Sequence, residues 1–111
     1  MSVNINVQEV LAKFTDGGAQ WGFDGEDVNL TLVCWPEGAG APEHINATHE
    51  VAMLGIEGNG QVEIDGELHA MREGDVLVIP KGAKRRVVAE SARFAYLNLH
   101  RKRVLHLQPR R

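Results

Sequence analysis

The chain has 111 residues, of which 43% are hydrophobic and 24% are charged, and its formal net charge is −3. This length predicts one domain over residues 1–111, and this composition excludes a disordered or fibrous protein. Cys34 is the only cysteine, so an internal disulfide and a thiolate zinc cluster are excluded. The N-terminus has no basic leader, and no segment has the ~20 apolar residues that span a bilayer, so we expect a cytoplasmic protein without membrane contact.

Charge is distributed unevenly along the chain. Residues 1–60 contain nine acidic residues and one basic residue, a net charge of −8, whereas residues 61–111 contain six acidic and eleven basic residues, a net charge of +5. Such asymmetry can join two halves of a fold, steer an anionic ligand or support subunit contacts. Nucleic acid is not expected as a partner, because the chain is acidic overall and its basic cluster at 81–86 has no interleaved aromatic residues.

A short helix is predicted near the N-terminus. Asn6 and Glu9 have the spacing of a helix N-cap and its reciprocal partner, and apolar residues follow at helical spacing. Gly17 and Gly18 end this pattern. We expect the helix to lie against the body of a β-fold, since only one of its faces is apolar.

The next two segments differ in their patterns. Residues 19–27 are predicted to form an irregular loop, in which Trp21 and Phe23 cover the fold or contact a second subunit. Residues 28–35 alternate between two faces, one of them consistently apolar, which predicts a strand. Cys34 lies on the apolar face and is expected to be a small core residue rather than a nucleophile.

Further strands are predicted from short apolar or alternating runs that are separated by turn residues. Asp65-Gly66 is the turn dipeptide of a two-residue hairpin. Short strands with tight turns are typical of a small antiparallel barrel or sandwich. The predicted strands are 50–56, 61–64, 67–71, 76–79, 85–89, 93–101 and 104–107. The apolar residues expected in the core include Val51, Met53, Leu54, Ile56, Leu77 and Ile79.

Two glycine-bounded blocks surround this hairpin. The first runs from Gly38 to Gly58 and contains His44, and the second runs from Gly74 to Gly82 and contains Pro80. In spacing they resemble the two motifs of the cupin family, G-x5-H-x-H-x3,4-E-x6-G and G-x5-P-x-G-x2-H-x3-N. The resemblance covers residues 38–82 and implies an all-β fold, a double-stranded β-helix (jelly-roll) barrel, with its core at about residues 28–107 and a short N-terminal helix.

The metal ligands of many cupins are three histidines and a glutamate, and this chain departs from that set. Asn46 stands at the second histidine position and Arg85 at the third. The glutamate position falls on Glu50 when it is counted from Asn46, but on Val51 when it is counted back from the closing glycine of the motif. His44 alone matches unambiguously, which implies that the conventional metal site has degraded.

Strand parity selects residues for a site in the barrel lumen. His44 and Asn46 share one face of a strand and can bind a small polar molecule. Arg85 lies where the family's third histidine projects inward, and Arg86 takes that place if the strand is shifted by one residue. An arginine at this position suits an anion better than a metal ion, because its guanidinium is always charged.

A later strand adds a third candidate. Tyr96, Asn98 and His100 alternate with Leu97 and Leu99, so the polar and apolar residues lie on opposite faces. The sequence leaves open which face is luminal. If the polar face is luminal, His100 can approach the histidine of the first block across the barrel.

Two functions follow from these alternatives. In the first, the lumen binds a small anionic organic molecule without a cofactor, through residues drawn from His44, Asn46, Arg85, Arg86 and His100. In the second, the protein is a metal-dependent enzyme of the dioxygenase or isomerase type. It would hold a divalent iron, manganese, zinc or nickel ion with a reduced set drawn from His44, His49, Glu50 and His100. In either case we expect a homodimer that covers the aromatic side chains of Trp21, Phe23 and Trp35.

Overall fold

The computed structural model describes residues 2–102 of the chain. In this range one short helix precedes a series of antiparallel strands. The helix is α1 (Val7–Leu11). The strands are β1 (Gly18–Asp24), β2 (Val28–Pro36), β3 (His44–Ile45), β4 (Val51–Glu57), β5 (Asn59–Ile64), β6 (Glu67–Arg72), β7 (Val76–Ile79), β8 (Lys84–Ala89) and β9 (Arg93–Arg101).

These strands form two sheets that face each other. The five-stranded sheet has the order β1-β2-β9-β4-β7, and the four-stranded sheet has the order β3-β8-β5-β6. The predicted all-β class with a short N-terminal helix is confirmed. The strand predicted at 104–107 lies outside the described residues.

Local sequence signals correctly located the helix start and the tight turns. The side-chain oxygen of Asn6 accepts a hydrogen bond from the backbone N–H of Glu9 at 3.0 Å. Asp65 and Gly66 have φ values of 49° and 84°, as the predicted two-residue hairpin requires. The four glycines that bound the two blocks have φ values between 71° and 88°, a region that favours glycine.

The loop predicted at residues 19–27 is wrong, because most of this segment forms β1. Its residues pair with β2 from Gly18 opposite Cys34 to Asp24 opposite Asn29. The register shifts between Ala19 and Trp21, at a β-bulge or irregularity. A bulge breaks the period-two alternation by which a strand is recognised in a sequence.

Apolar side chains pack in two layers on either side of the five-stranded sheet. The outer layer lies between this sheet and α1, and consists of Leu11, Leu32, Cys34 and Ala95. The inner layer fills the space between the two sheets, and consists of Val33, Val51, Met53, Val62, Met71, Ile79, Ala83, Val87, Ala89, Phe94 and Tyr96. Cys34 is fully buried in the outer layer, as expected of a small core residue.

The most apolar face of β2 therefore points outward, toward the helix. Its opposite face carries Val33 into the lumen. The predicted core residues divide in the same way: Val51, Met53 and Ile79 are buried inside, whereas Leu54 lies on the outer face and is 37% exposed. Leu54 was therefore wrongly predicted as a core residue. Ile56 and Leu77 are partly buried against the outer and inner layers, respectively.

Among the described residues, two ion pairs connect the acidic and basic parts of the chain. Arg93 pairs with Glu57 at 2.6 Å, and Lys102 pairs with Asp24 at 2.8 Å. Some of the opposite charges of the two halves therefore pair with each other within the protomer. Among residues 2–102, no helix has the length and apolar character needed to cross a bilayer.

Candidate functional site

A cavity of about 310 Å³ lies between the two sheets. The paired strands β3 and β8 contribute His44 and Arg85, whose Cα atoms are register partners. Strand β9 contributes Tyr96 and Asn98 from the opposite sheet. The other residues that line the cavity are Gly18, Ala19, Val33, Trp35, Ala41, Pro42, Glu43, Met53 and Val87.

The guanidinium of Arg85 is the main charge in this cavity. Its Nη1 atom is buried and has no hydrogen-bond partner among the described residues. Within the same part of the chain, no carboxylate lies within ion-pair distance of Arg85. Burial lowers the pKa of Arg85, but an arginine stays protonated at physiological pH. Arg85 therefore brings a partly desolvated positive charge to the lumen, and the exposed Glu43, which also lines the cavity, forms no ion pair with it.

Tyr96 lies beside this charge and is held in place by Trp35. The indole Nε1 of Trp35 donates a hydrogen bond to the Tyr96 hydroxyl oxygen at 3.0 Å. Burial raises the pKa of Tyr96, although the hydrogen bond from Trp35 and the charge of Arg85 oppose this effect. The phenol is therefore neutral at physiological pH. Since it accepts from Trp35, its own proton is free to be donated to a group in the cavity.

Asn98 shows which face of β9 is luminal. It lines the cavity with Tyr96, whereas Leu99 points outward and is 42% exposed. The side-chain oxygen of Asn98 is buried and has no hydrogen-bond partner among residues 2–102. The polar face of this strand is therefore the luminal one. The sequence alone left open whether the polar or the apolar face of β9 points into the lumen.

His44 and His100 lie in different places. His44 lines the cavity, and its side chain is exposed. His100 lies instead in a surface groove, where its ring centroid is 5.5 Å from that of His49. Glu50 lines the same groove. Of the four candidate metal ligands, His44 therefore lies in the cavity, and the other three lie in the surface groove: His49, Glu50 and His100.

Asn46 has a structural role that sequence reasoning missed. Its side-chain oxygen accepts hydrogen bonds from the backbone N–H groups of Thr48 and His49, at 3.2 and 3.1 Å, and from the Thr48 hydroxyl at 3.3 Å. Asn46 thus shapes the turn that leads into β4, and it does not line the cavity. A short polar side chain next to a turn is a known signal for this role.

Arg86 lies on the opposite face of β8 from Arg85. The register pairs Arg86 with Glu63 on β5, and the two side chains form an exposed ion pair at 2.9 Å. The strand is therefore not shifted by one residue. Of the two arginines, only Arg85 lines the lumen cavity.

The family's four ligand positions can now be tested for their fit to a metal ion. Inside the barrel, the glutamate position is occupied by Val51, which is 1% exposed and apolar. The oxygen of Asn46 is engaged in its turn, and Arg85 is a cation. One histidine, an engaged amide, a valine and an arginine do not fit a divalent ion. Among residues 2–102, no group of three His, Cys, Asp or Glu side chains could hold a metal ion.

Comparison with known proteins identifies relatives of this fold. A family model described as "Cupin domain" matches residues 31–99. A solved structure from Neisseria meningitidis has a TM-score of 0.77 and 20% identity, and covers 90% of this chain and 100% of that chain. A cupin protein from Bacteroides fragilis has a TM-score of 0.66 and 27% identity, and covers 78% and 75% of the respective chains.

A third solved structure is an uncharacterised conserved protein with a double-stranded β-helix domain from Klebsiella pneumoniae. It has a TM-score of 0.77 and 13% identity, and covers 91% of this chain and 90% of that chain. The expected double-stranded β-helix is therefore confirmed. Among curated protein sequences, none matches this chain significantly.

Proposed function

Because the chain belongs to the cupin family, we propose that its barrel lumen binds a small organic anion, and that the charge of Arg85 takes the place of the family's metal ion. The observation that carries this proposal is the buried, unpartnered Nη1 atom of Arg85. Fold alone does not reveal a ligand, so the proposal rests on the chemistry of the site.

The cost of burying a charge supports an anionic ligand. A charge that is removed from water is unfavourable unless it is paired and hydrogen-bonded. Arg85 lies in the lumen without a carboxylate partner from the described part of the chain. A carboxylate or phosphate in the cavity would supply that partner through charge-assisted hydrogen bonds, for which the planar guanidinium is well suited.

Other cavity residues can complete the binding of an anion. The Tyr96 hydroxyl has a proton to donate, because its oxygen already accepts from Trp35. His44 is a further donor at an exposed position of the cavity lining. Val33 and Met53 present apolar surface to the rest of the ligand. At about 310 Å³, the cavity is at the lower end of the range for organic ligands, which indicates a small molecule.

Ligand titration into three forms of the protein tests this proposal. A panel of small carboxylic acids and phosphorylated metabolites is titrated by calorimetry into wild-type, Arg85→Gln and Arg86→Gln protein. A lost charge-assisted hydrogen bond is worth roughly 1.5–3 kcal/mol, so Arg85→Gln should weaken binding by about one to two orders of magnitude. Arg86→Gln is the matched surface control and should bind as the wild type does. Equal affinities in all three forms would exclude Arg85 from the site.

Metal analysis separates this proposal from a metal-dependent enzyme. We expect purified protein to bind the anion without a stoichiometric divalent ion. A stoichiometric metal that is lost in a His44→Ala variant would instead favour a metal-dependent enzyme and would contradict the replacement of the ion by Arg85.

We also propose a homodimer, but through a surface that differs from the one expected from the sequence. Trp21 and Trp35 pack within the protomer. Exposed apolar residues on the outer face of the five-stranded sheet include Leu54 and Val76, which are register partners, and Val78, which is 55% exposed. A contiguous apolar face of this kind suits a self-complementary interface. Sedimentation at micromolar concentration should show a dimer that Val78→Lys dissociates, and a wild-type species of only 12.2 kDa would refute it.

A further inference from the structure

The unpartnered buried polar atoms of the lumen differ in their hydrogen-bonding character. In the part of the chain that the structure describes, the residues that line the cavity contribute Nη1 of Arg85 and the side-chain oxygen of Asn98. The arginine nitrogen is a donor, whereas the asparagine oxygen is an acceptor. Buried polar atoms are nearly always hydrogen-bonded, so two unpartnered atoms in the lining of one cavity call for a common explanation.

These atoms lie on opposite walls of the barrel. Arg85 belongs to β8 in the four-stranded sheet, and Asn98 belongs to β9 in the five-stranded sheet. The lumen therefore presents a cationic donor on one wall and an amide acceptor on the other.

A ligand that carries only an acid group cannot hydrogen-bond to both Arg85 and the side-chain oxygen of Asn98. A carboxylate accepts hydrogen bonds and can pair with Arg85 and the Tyr96 hydroxyl, but it has no proton to give to the oxygen of Asn98. The ligand must therefore carry a donor group in addition to its acid group. An ammonium group would bring a second positive charge toward Arg85, whereas a hydroxyl donates a hydrogen bond without adding charge.

We propose that the lumen ligand is a small hydroxycarboxylic acid, whose carboxylate pairs with Arg85 and whose hydroxyl donates to the Asn98 amide. This inference rests on the proposed function, because it assigns a chemical class to the anion of the same site. The two residues line one cavity of about 310 Å³, so both groups belong to one compact molecule.

The hydroxyl should contribute measurably to affinity. The hydroxyl would give the buried Asn98 oxygen the hydrogen bond that it lacks, whereas an acid without a hydroxyl would leave this acceptor unpartnered. A buried acceptor without a partner costs ~1–3 kcal/mol, and each 1.4 kcal/mol corresponds to a factor of ten, so we expect a preference of about tenfold.

Matched pairs of acids that differ by one hydroxyl test this inference. The pairs are lactate and propionate, 3-hydroxybutyrate and butyrate, and malate and succinate, with both enantiomers of each hydroxy acid, titrated by calorimetry. In at least one pair, the wild-type protein should bind the hydroxy acid about tenfold more tightly. This comparison needs only the wild-type protein, so it does not depend on the folding of a variant.

Two variants test whether Asn98 causes the preference for hydroxy acids. Asn98→Leu replaces the amide by an apolar group of similar size and should bring the two affinities of that pair together, whereas Arg86→Gln should keep the preference. Circular dichroism confirms that each variant is folded. A hydroxyl preference that persists in Asn98→Leu would overturn the role of Asn98. If acids bind through Arg85 with no hydroxyl preference, the inference fails and the proposed function stands. If no acid binds the wild type, both fail.

Discussion

The outer layer and the lumen each contain a partly buried arginine, and the two side chains have opposite surroundings. At the outer layer, Arg93 donates to both carboxylate oxygens of Glu57, from Nε at 2.8 Å and from Nη2 at 2.6 Å. Its Nη1 donates to the backbone oxygen of Leu11 at 2.8 Å, and the guanidinium lies 5.8 Å from the ring centroid of Phe14. Arg93 therefore attaches α1 to the barrel. Arg85, in the lumen, leaves its buried Nη1 without a partner.

The pKa values of the two arginines follow this difference. The hydrogen bond from Arg93 to Glu57 raises the pKa of Arg93, whereas burial lowers the pKa of Arg85. Arg93 has its hydrogen-bond partners within the chain, whereas the buried Nη1 of Arg85 has none among the described residues. The comparison therefore predicts that Arg93 contributes to stability and that Arg85 contributes to binding.

The largest expected effect on stability is at Arg93. Arg93→Met keeps much of the apolar stem but removes the hydrogen bonds to Glu57 and Leu11. Hydrogen bonds to charged groups contribute roughly 1.5–3 kcal/mol each, and partial exposure reduces this value, so the free energy of unfolding should fall by about 2–3 kcal/mol. Urea unfolding followed by circular dichroism measures it. A variant as stable as the wild type would show that α1 is held by apolar packing alone.

A smaller effect is expected in the pH dependence of stability. The hydrogen bond from Arg93 lowers the pKa of Glu57 from its ordinary value of 4.5. The stabilisation from this carboxylate is therefore complete above pH 4.5 and is lost as the pH falls through the lower folded value. Unfolding free energies measured from pH 7 to pH 3 should fall less steeply in Arg93→Met than in the wild type. Parallel curves would contradict the assignment to this pair.

The smallest expected effect on stability is at Arg85. Arg85→Met removes a partly desolvated charge whose buried Nη1 has no hydrogen-bond partner in the described chain, so no hydrogen bond of that atom is lost. Without ligand, the free energy of unfolding should stay within about 1 kcal/mol of the wild type or rise. The same urea titration measures it, with Arg93→Met as the contrasting variant. A loss as large as that at Arg93 would show that Arg85 is a structural residue and would remove the basis of the comparison.

Much of the fold was predictable because its signals are local. The hairpin at Asp65-Gly66 follows from the φ values that this dipeptide favours, and the start of α1 follows from the side chain of Asn6. Strand β9 was predicted with its observed bounds, Arg93–Arg101, because its alternation is regular. Strand β1 was missed because the register irregularity between Ala19 and Trp21 interrupts that alternation.

The candidate site was less predictable. The spacing of the two blocks placed His44 and Arg85 in the lumen, and both line the observed cavity. The same parity rule also selected Asn46, whose oxygen is instead engaged in a local turn. The sequence predicted only that Trp35 is covered by a second subunit, whereas Trp35 on β2 donates a hydrogen bond to the Tyr96 hydroxyl on the neighbouring strand β9. Such a contact between residues far apart in sequence leaves no local pattern.

By itself, the sequence determined most of the strands, the tight turns and the division of those strands into two faces, because backbone geometry and a period of two are properties of neighbouring residues. The tertiary structure alone decided which face is inside. On β2 the most apolar face points outward because α1 covers it, and on β9 the polar face of Tyr96 and Asn98 points inward. Alternation shows that two faces differ, but only the closure of the two sheets and the docking of the helix determine which of them loses contact with water.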